Sequence, residues 1–326
     1  MRSEAELHAF FRDELLPHVR QWKRMTRIRP LGALDLAVLA LTAVACLWLR
    51  RLEPAWLAAG YAALRIASDV SRVRSAFKRE VLAPLFEFAL PGVRYDPAAR
   101  IDGATVERSG LFPESWSSES GEDYVAGRLG ETAFRLSELR LTRRQRKNRQ
   151  TVVFHGLFFA ADFNKSFRGR TYLLPDVAER VFGTLGRSLQ ALPRFDGTEL
   201  VELEDPDFEK RFVCYASDPI EARYLLSTSL LRRLLGLAER ASGSLRVSFL
   251  DECLYLAMPL GNLFPAAFFA SSVDEEALHA RVRELYSVVG IVEELGLNTR
   301  IWSKGAAADP ASRARAARPG PQSPGN

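Results

Sequence analysis

Nineteen consecutive residues, Leu31 to Leu49, carry a single charge, Asp35 near the start. At about 1.5 Å rise per residue, a helix over this run is roughly as long as the ~30 Å hydrocarbon core of a bilayer is thick. No other segment restricts the fold so strongly, because such a helix must be covered by lipid or enclosed by protein. The alternative to a membrane helix is a core element of a soluble bundle.

A second apolar stretch, Ala55 to Ala67, follows after the break at Arg50 to Pro54 and contains Arg65. It is too short to cross alone unless Arg65 snorkels and flanking residues extend the helix. The pair reads as an apolar helical hairpin over residues 31–68, acting as a membrane anchor. Basic residues gather on both outer flanks: Arg20, Lys23, Arg24, Arg27 and Arg29 before it, and Arg65, Arg72, Arg74, Lys78 and Arg79 after it. The turn has only Arg50 and Arg51 against Glu53. The excess of Lys and Arg on the flanks predicts that both ends face the cytoplasm at the inner membrane. Some thirty polar and amphipathic residues precede the apolar run, which argues against a cleavable signal peptide.

Those first residues, 1–30, form one amphipathic helix by spacing, with Leu7, Phe11, Leu15, Val19 and Trp22 on a stripe. A linking helix over 69–92 repeats the pattern with Val70, Val73, Phe77, Val81, Leu82, Leu85 and Phe86. Pro84 is expected to kink it, and Pro91-Gly92 to end it.

From 93 to 304 the pattern changes to a soluble α+β domain. A Ser-, Glu- and Gly-rich loop is expected over Pro113 to Asp123. Strands are expected over Ala133–Leu141, Thr151–Phe159, Thr171–Leu174, Glu199–Leu203 and Phe212–Ala216. Glu138 breaks the alternation of the first. Helices are expected at Ile220–Leu226 and Ser229–Arg240, then a hairpin of Leu245–Leu250 and Cys253–Met258 around Asp251-Glu252. A final helix has capping-box spacing at Ser272 and Glu275, a stripe of Leu278, Val282, Leu285, Val289 and Val292, and Gly296 as its terminal cap. The expected architecture is a mainly antiparallel sheet closed by this long helix. Residues 305–326, rich in Pro, Gly, Ala and Arg, read as a disordered tail.

Motifs that carry chemistry are scarce. The chain contains no P-loop, GxSxG, HExxH or dinucleotide fingerprint. Cys46, Cys214 and Cys253 are widely spaced and read as buried thiols, not a disulfide framework or zinc site. No catalytic residue, metal or cofactor is assigned. His155, set among Val153, Phe154 and Leu157, reads as a satisfied imidazole on a strand.

Two basic groups stand out. Arg143, Arg144, Arg146, Lys147 and Arg149 lie between two strands with no acid among them, and Lys165 and Arg168 follow the phenylalanine-rich run from Gly156. The first group reads as a solvated hairpin tip, or as a contact for anionic lipid headgroups, worth about 1 kcal/mol per basic side chain near such a surface. Nucleic acid is not expected as a partner, because no aromatic residues interleave these charges and the net charge of +5 is modest. The acids Glu119, Glu122 and Asp123, and Glu202, Glu204, Asp205 and Asp207, read as solvated loop and turn groups. Were they to converge on one cleft, they would offer a general acid and base.

Several strings resemble a known bacterial family, domain of unknown function 3137. They are SGLF at 109–112, SGED at 120–123, GLFFAADFNKSFRG at 156–169, LEDPDFEKRFVCYASDPIEARYLLS at 203–227 and LGLNTRIWSK at 295–304. The resemblance, over about residues 75 to 304, implies N-terminal membrane segments, a soluble domain, and no assigned activity. The resulting expectation is a membrane-anchored, non-enzymatic interaction or ligand-sensing module with an unidentified protein partner. A membrane-associated hydrolase or transferase acting on lipid or envelope substrates is the alternative.

Overall fold

The computed structural model describes residues 6, 9–25, 33–49, 55–144, 149–163, 165–175, 197–203, 205–241, 244–261, 263–264 and 275–297. Near the N-terminus a wide helical turn, Phe11–Leu15, runs into helix α1 (Leu16–Met25). Its stripe is buried as the spacing requires, with Trp22 inaccessible and its indole N–H donating to the Val73 carbonyl.

The apolar pair forms two helices, α2 (Ala33–Leu49) and α3 (Ala55–Phe77). Among the described residues no helix is long and apolar enough to cross a membrane, so the transmembrane expectation for 31–68 is corrected. Helix α2 has 17 residues, about 26 Å at 1.5 Å per residue and short of a ~30 Å core; Leu31 and Gly32 lie outside the described residues. The apolar part of α3 ends at Ala67, before Ser68 and Asp69. The two charges inside the pair meet each other. Arg65 forms an ion pair with Asp35, whose other carboxylate oxygen accepts from the Tyr61 hydroxyl at 2.6 Å.

Helix α3 also differs from the expected boundary near residue 68, since it runs unbroken from the apolar hairpin into the amphipathic segment. A π turn (Lys78–Leu82) then leads into helix α4 (Ala83–Ala89). Proline at 84 has no amide to donate and its ring crowds the preceding turn, and the widened turn sits immediately before it.

The rest is an open antiparallel sheet flanked by helices, which bears out the α+β class; the sheet itself is not closed. It consists of β1 (Arg94–Asp96), β2 (Ser118–Leu129), β3 (Thr132–Arg144), β4 (Gln150–Asp162), β5 (Thr171–Pro175), β6 (Glu199–Val201), β7 (Phe212–Ala216), β8 (Arg246–Leu250) and β9 (Cys253–Pro259). Their order is β1-β2-β3-β4-β9-β8-β5-β7-β6. Between them lie helices α5 (Gly103–Arg108), α6 (Pro206–Glu209), α7 (Pro219–Leu225) and α8 (Thr228–Arg240); α9 (Glu275–Val289) and α10 (Ile291–Glu294) follow.

Both faces of the sheet are covered. Phe134 and Leu136 of β3, with Leu157, Phe159 and Ala161 of β4, join a core that includes α1, α4, α8 and α9. Leu139 and Leu141 of β3, with Phe158 and Ala160 of β4, join a second core with Ile101, Val106 and Phe112. Strand β3 therefore changes its apolar face along its length. Glu138 falls on the first face, where a polar cluster replaces aliphatic packing, and that is why it interrupts the alternation.

The last long helix packs as its stripe dictates. Leu278, Val282, Leu285 and Val289 are buried, Tyr286 donates its hydroxyl to the Ala89 carbonyl at 3.0 Å, and Gly296 takes the left-handed conformation (φ +69°) that ends the helical segment. Ser272 and the tail from 305 lie outside the described residues. In the β8–β9 hairpin Asp251 and Glu252 both have positive φ, +51° and +58°, the conformation of a two-residue type I′ turn.

Candidate functional site

The expected loop from Pro113 to Asp123 is a strand from Ser118 onward. Its acids are paired with remote basic groups, which lets a charge-rich segment pack: Arg100 donates to Glu119 at 2.6 Å. Further along β2 the register shifts between Glu122 and Val125, and Asp123 takes φ +61°. The bulge drives the Asp123 carboxylate inward, to zero exposure.

Helix α3 meets it there. Arg74 and Lys78, four residues apart, lie on one helical face. The Lys78 ammonium, 2% exposed, lies 2.6 Å from Asp123 Oδ2 and 3.2 Å from Glu122 Oε2. Arg74 pairs with Glu122. From β1 the Tyr95 hydroxyl donates to Asp123 Oδ1 at 2.6 Å. Glu122 is in register with Glu138 of β3, whose Oε1 lies 3.1 Å from His155 Nε2 and whose Oε2 accepts from the Leu263 amide at 2.9 Å. The result is a polar network of Arg74, Lys78, Tyr95, Glu122, Asp123, Glu138 and His155 at the junction of α3 and the sheet.

Burial dominates its electrostatics. It pushes the Asp123 carboxyl up to about 6 despite the opposing influence of Lys78 and Tyr95, and it raises Tyr95 beside that carboxylate as well. Carboxylate oxygens of Glu122, Asp123 and Glu138 lie within 4.8 Å of one another, a donor set that suits a hard cation. The positive charge they face is the Lys78 ammonium and the Arg74 guanidinium. The network thus fastens one element to another. As a sheet-face imidazole paired to Glu138, His155 matches its expectation.

The other candidate groups do not converge. Arg143 and Arg144 end β3 and Arg149 precedes β4, while Arg146 and Lys147 lie outside the described residues. Lys165 and Arg168 follow the far end of β4, some 40 Å away at ~3.3 Å per strand residue. The Lys165 ammonium donates to the Tyr224 carbonyl at 2.8 Å and lies over the Tyr224 ring at 4.5 Å; burial lowers its proton affinity. At Arg168 and Gly169 the backbone amides are received by the Glu221 carboxylate, at 2.9 and 2.6 Å.

Nor do the two acidic groups share a cleft. Asp205 caps α6, Asp207 pairs with Lys210, and Glu202 follows edge strand β6, seven strand positions from β2 in the sheet; Glu204 lies outside the described residues. Beside them an open groove of about 400 Å³ is lined by Leu203, Asp205, Pro206, Arg223, Ser227 and Thr228 among others.

Residues 152–297 match the family described as Protein of unknown function (DUF3137). Over that stretch the chain is similar to DUF3137 proteins. The match is narrower than the sequence resemblance, leaving SGLF and SGED outside it. The DUF3137 segment contributes His155 to the buried network, whereas Arg74, Lys78, Tyr95, Glu122, Asp123 and Glu138 precede it. The crystal structure of the mycobacterial trehalose monomycolate transport factor A, TtfA, is similar at 10% identity over 58% of this chain and 97% of that one, with a TM-score of 0.25. So loose a likeness carries no argument about this chain. No curated protein matches it significantly.

Proposed function

We propose that this protein is a non-enzymatic interaction module held at a membrane by the apolar pair α2 and α3, with its sheet domain on the cytoplasmic face. One observation carries the reading: large apolar side chains stand exposed along both helices, including Leu41 (70%), Trp48 (83%), Trp56 (79%) and Leu64 (74%). Exposed large apolar side chains gathered on two neighbouring helices mark an interaction or membrane site, and the two charges Asp35 and Arg65 among them pair with each other. The pair is too short for comfortable spanning, so the reading is a hairpin seated in the bilayer with locally thinned or shallow insertion.

Of the basic residues expected to set orientation, Arg65, Arg74 and Lys78 are engaged by carboxylates within the chain. Orientation therefore rests on the flank before α2 and on Arg72 and Arg79, which pair with near neighbours.

The test is extraction of membranes from cells expressing the full chain, first with high salt and then with alkaline carbonate. Retention through both washes is expected, with release into carbonate for a Leu41→Glu/Leu64→Glu double variant. Release of the unaltered chain by carbonate would overturn the anchor.

A further inference from the structure

Strands β3 and β4 outrun the strands beside them. Strand β2 pairs with β3 as far as Ser118 opposite Thr142, and among the described residues β9 pairs with β4 only from Gly156 onward. Residues 142–144 and 150–152 therefore form a two-stranded ribbon at the end of the sheet, with Arg140 at its base. Arg140, Arg144 and Arg149 are exposed on it and Arg143 is half-buried, with Val152 exposed among them. Glu119, the next carboxylate along β2, is held by Arg100. Among the described residues no carboxylate pairs with Arg140, Arg143 or Arg149.

The apolar helices and this ribbon leave the sheet at the same end. Moving up the chain, Phe86 of α4 packs on Tyr95, which lies opposite Val125; Lys78 reaches Asp123; and Arg74 of α3 reaches Glu122. Each step back toward α2 is a step along β2 toward Ser118, where the ribbon emerges. From Phe86 to Arg74 the helices travel about 18 Å for about 10 Å of β2, so helix and strand are inclined by roughly 55°. From Glu138, opposite Glu122, β3 runs about 20 Å to Arg144, which projects to roughly 10 Å along the helix. From Arg74, α3 covers about that distance in reaching Ile66, one of its exposed apolar residues. The arginines thus lie level with the start of the apolar surface of α3.

We propose that the β3–β4 ribbon is a second contact with the membrane, in which Arg140, Arg143 and Arg149 bind the phosphates of anionic lipid headgroups beside the helix pair. The inference rests on reading α2 and α3 as the anchor and names the lipid class that the anchored protein prefers. Guanidinium groups form paired, charge-assisted hydrogen bonds with phosphate oxygens. The anchor supplies the high local concentration of lipid that so small a patch needs. Each basic side chain near an anionic surface contributes a factor of about five to the contact equilibrium, so three contribute about a hundred-fold. Two attachments, one apolar and one electrostatic, fix the tilt of the sheet domain against the bilayer, where a single hairpin would let it swing.

Photo-crosslinking tests it on the full chain reconstituted into vesicles, either of phosphatidylcholine alone or of two parts phosphatidylcholine to one of phosphatidylglycerol. One lipid probe carries its photoreactive group on the headgroup, another at the end of an acyl chain, and labelled peptides are identified by mass spectrometry. Headgroup labelling of residues 140–153 should be at least about ten-fold stronger in the anionic vesicles and should fall as salt is raised. It should be lost in Arg140→Gln/Arg143→Gln/Arg149→Gln and fall about five-fold in Arg149→Gln alone, an exposed position before β4 whose change leaves the strands intact. Ribbon labelling that is absent, equal in the two vesicle types or unaltered in the variants overturns the proposal. The acyl probe reports the anchor separately. If it labels α2 and α3 while the ribbon stays silent, the headgroup contact fails and the anchor stands; ribbon labelling without it overturns the anchor and leaves the contact standing.

Discussion

Replacing Lys78 with Met removes the ammonium from the buried network while keeping the aliphatic stem. Breaking a buried ion pair by deleting one partner commonly costs ~3–5 kcal/mol, because a charge is left uncompensated. Here the loss should be smaller and dependent on pH, since Asp123 has a way out: it takes up a proton. The sign follows from its raised carboxyl. The folded-state value, about 6, exceeds the ordinary 3.8. Its contribution to stability is therefore complete below about 3.8 and is lost as pH rises through 6.

In the unaltered protein ionisation beside Lys78 limits that loss above pH 6. In Lys78→Met the carboxyl stays protonated, and forgoing ionisation costs ~1.4 kcal/mol for each pH unit above 6. The expected destabilisation is thus near zero at pH 5, on the order of 1 kcal/mol at pH 7 and on the order of 3 kcal/mol at pH 8, before a contribution of up to ~1 kcal/mol from the part-exposed Glu122. Urea unfolding of the full chain in micelles, followed by far-ultraviolet circular dichroism at the three pH values, measures it. A destabilisation equal at pH 5 and pH 8 would refute the reasoning, because Asp123 would then not be the group that Lys78 serves.

Leu285→Ala, which empties a fully buried position on α9, should cost ~2–5 kcal/mol in the same assay. Asp251→Asn with Glu252→Gly supplies the residues favoured at two positive-φ positions and should stabilise the β8–β9 hairpin by ~0.5–1 kcal/mol, read as a higher urea midpoint. Glu221→Ala withdraws the acceptor for the Arg168 and Gly169 amides and should cost ~1–3 kcal/mol. Limited proteolysis should find faster cleavage near that turn; unchanged cleavage and stability would mean the carboxylate is dispensable there.

Local patterns foretold local structure well. The stripe from Leu278 to Val292 is a buried helical face, and Asp251-Glu252 is a turn, because in each case the residues that decide the conformation are sequence neighbours. The failures have a shared physical origin. Ser118 to Asp123 looks like a solvated loop until Arg100, Arg74 and Lys78 arrive from elsewhere to neutralise it, and nothing in the local composition announces them. Helix α3 looks like two segments because its surroundings change at Ser68 while its backbone does not.

The site suffered most from this. By sequence Lys78 is one more basic flank residue and Asp123 a loop acid, whereas the fold buries them together. Glu138, visible only as a fault in an alternating strand, was the one local sign that something polar lay beneath the helices. Lys165 and Arg168 resemble the hairpin arginines in charge, and the length of β4 separates them.

The π turn at Lys78–Leu82 has a consequence for the evolution of chain length. One residue more than an α-helical turn requires is accommodated there, and an α-helix advances about 100° per residue. Excising a single residue from 79–82 should restore ordinary winding with the upstream azimuth nearly unchanged, whereas excising a second would turn everything upstream by about that angle, carrying Arg74 and Lys78 off the β2 bulge and re-aiming the apolar pair. Insertions and deletions in this stretch should therefore be tolerated only in numbers that return the helix to the same azimuth.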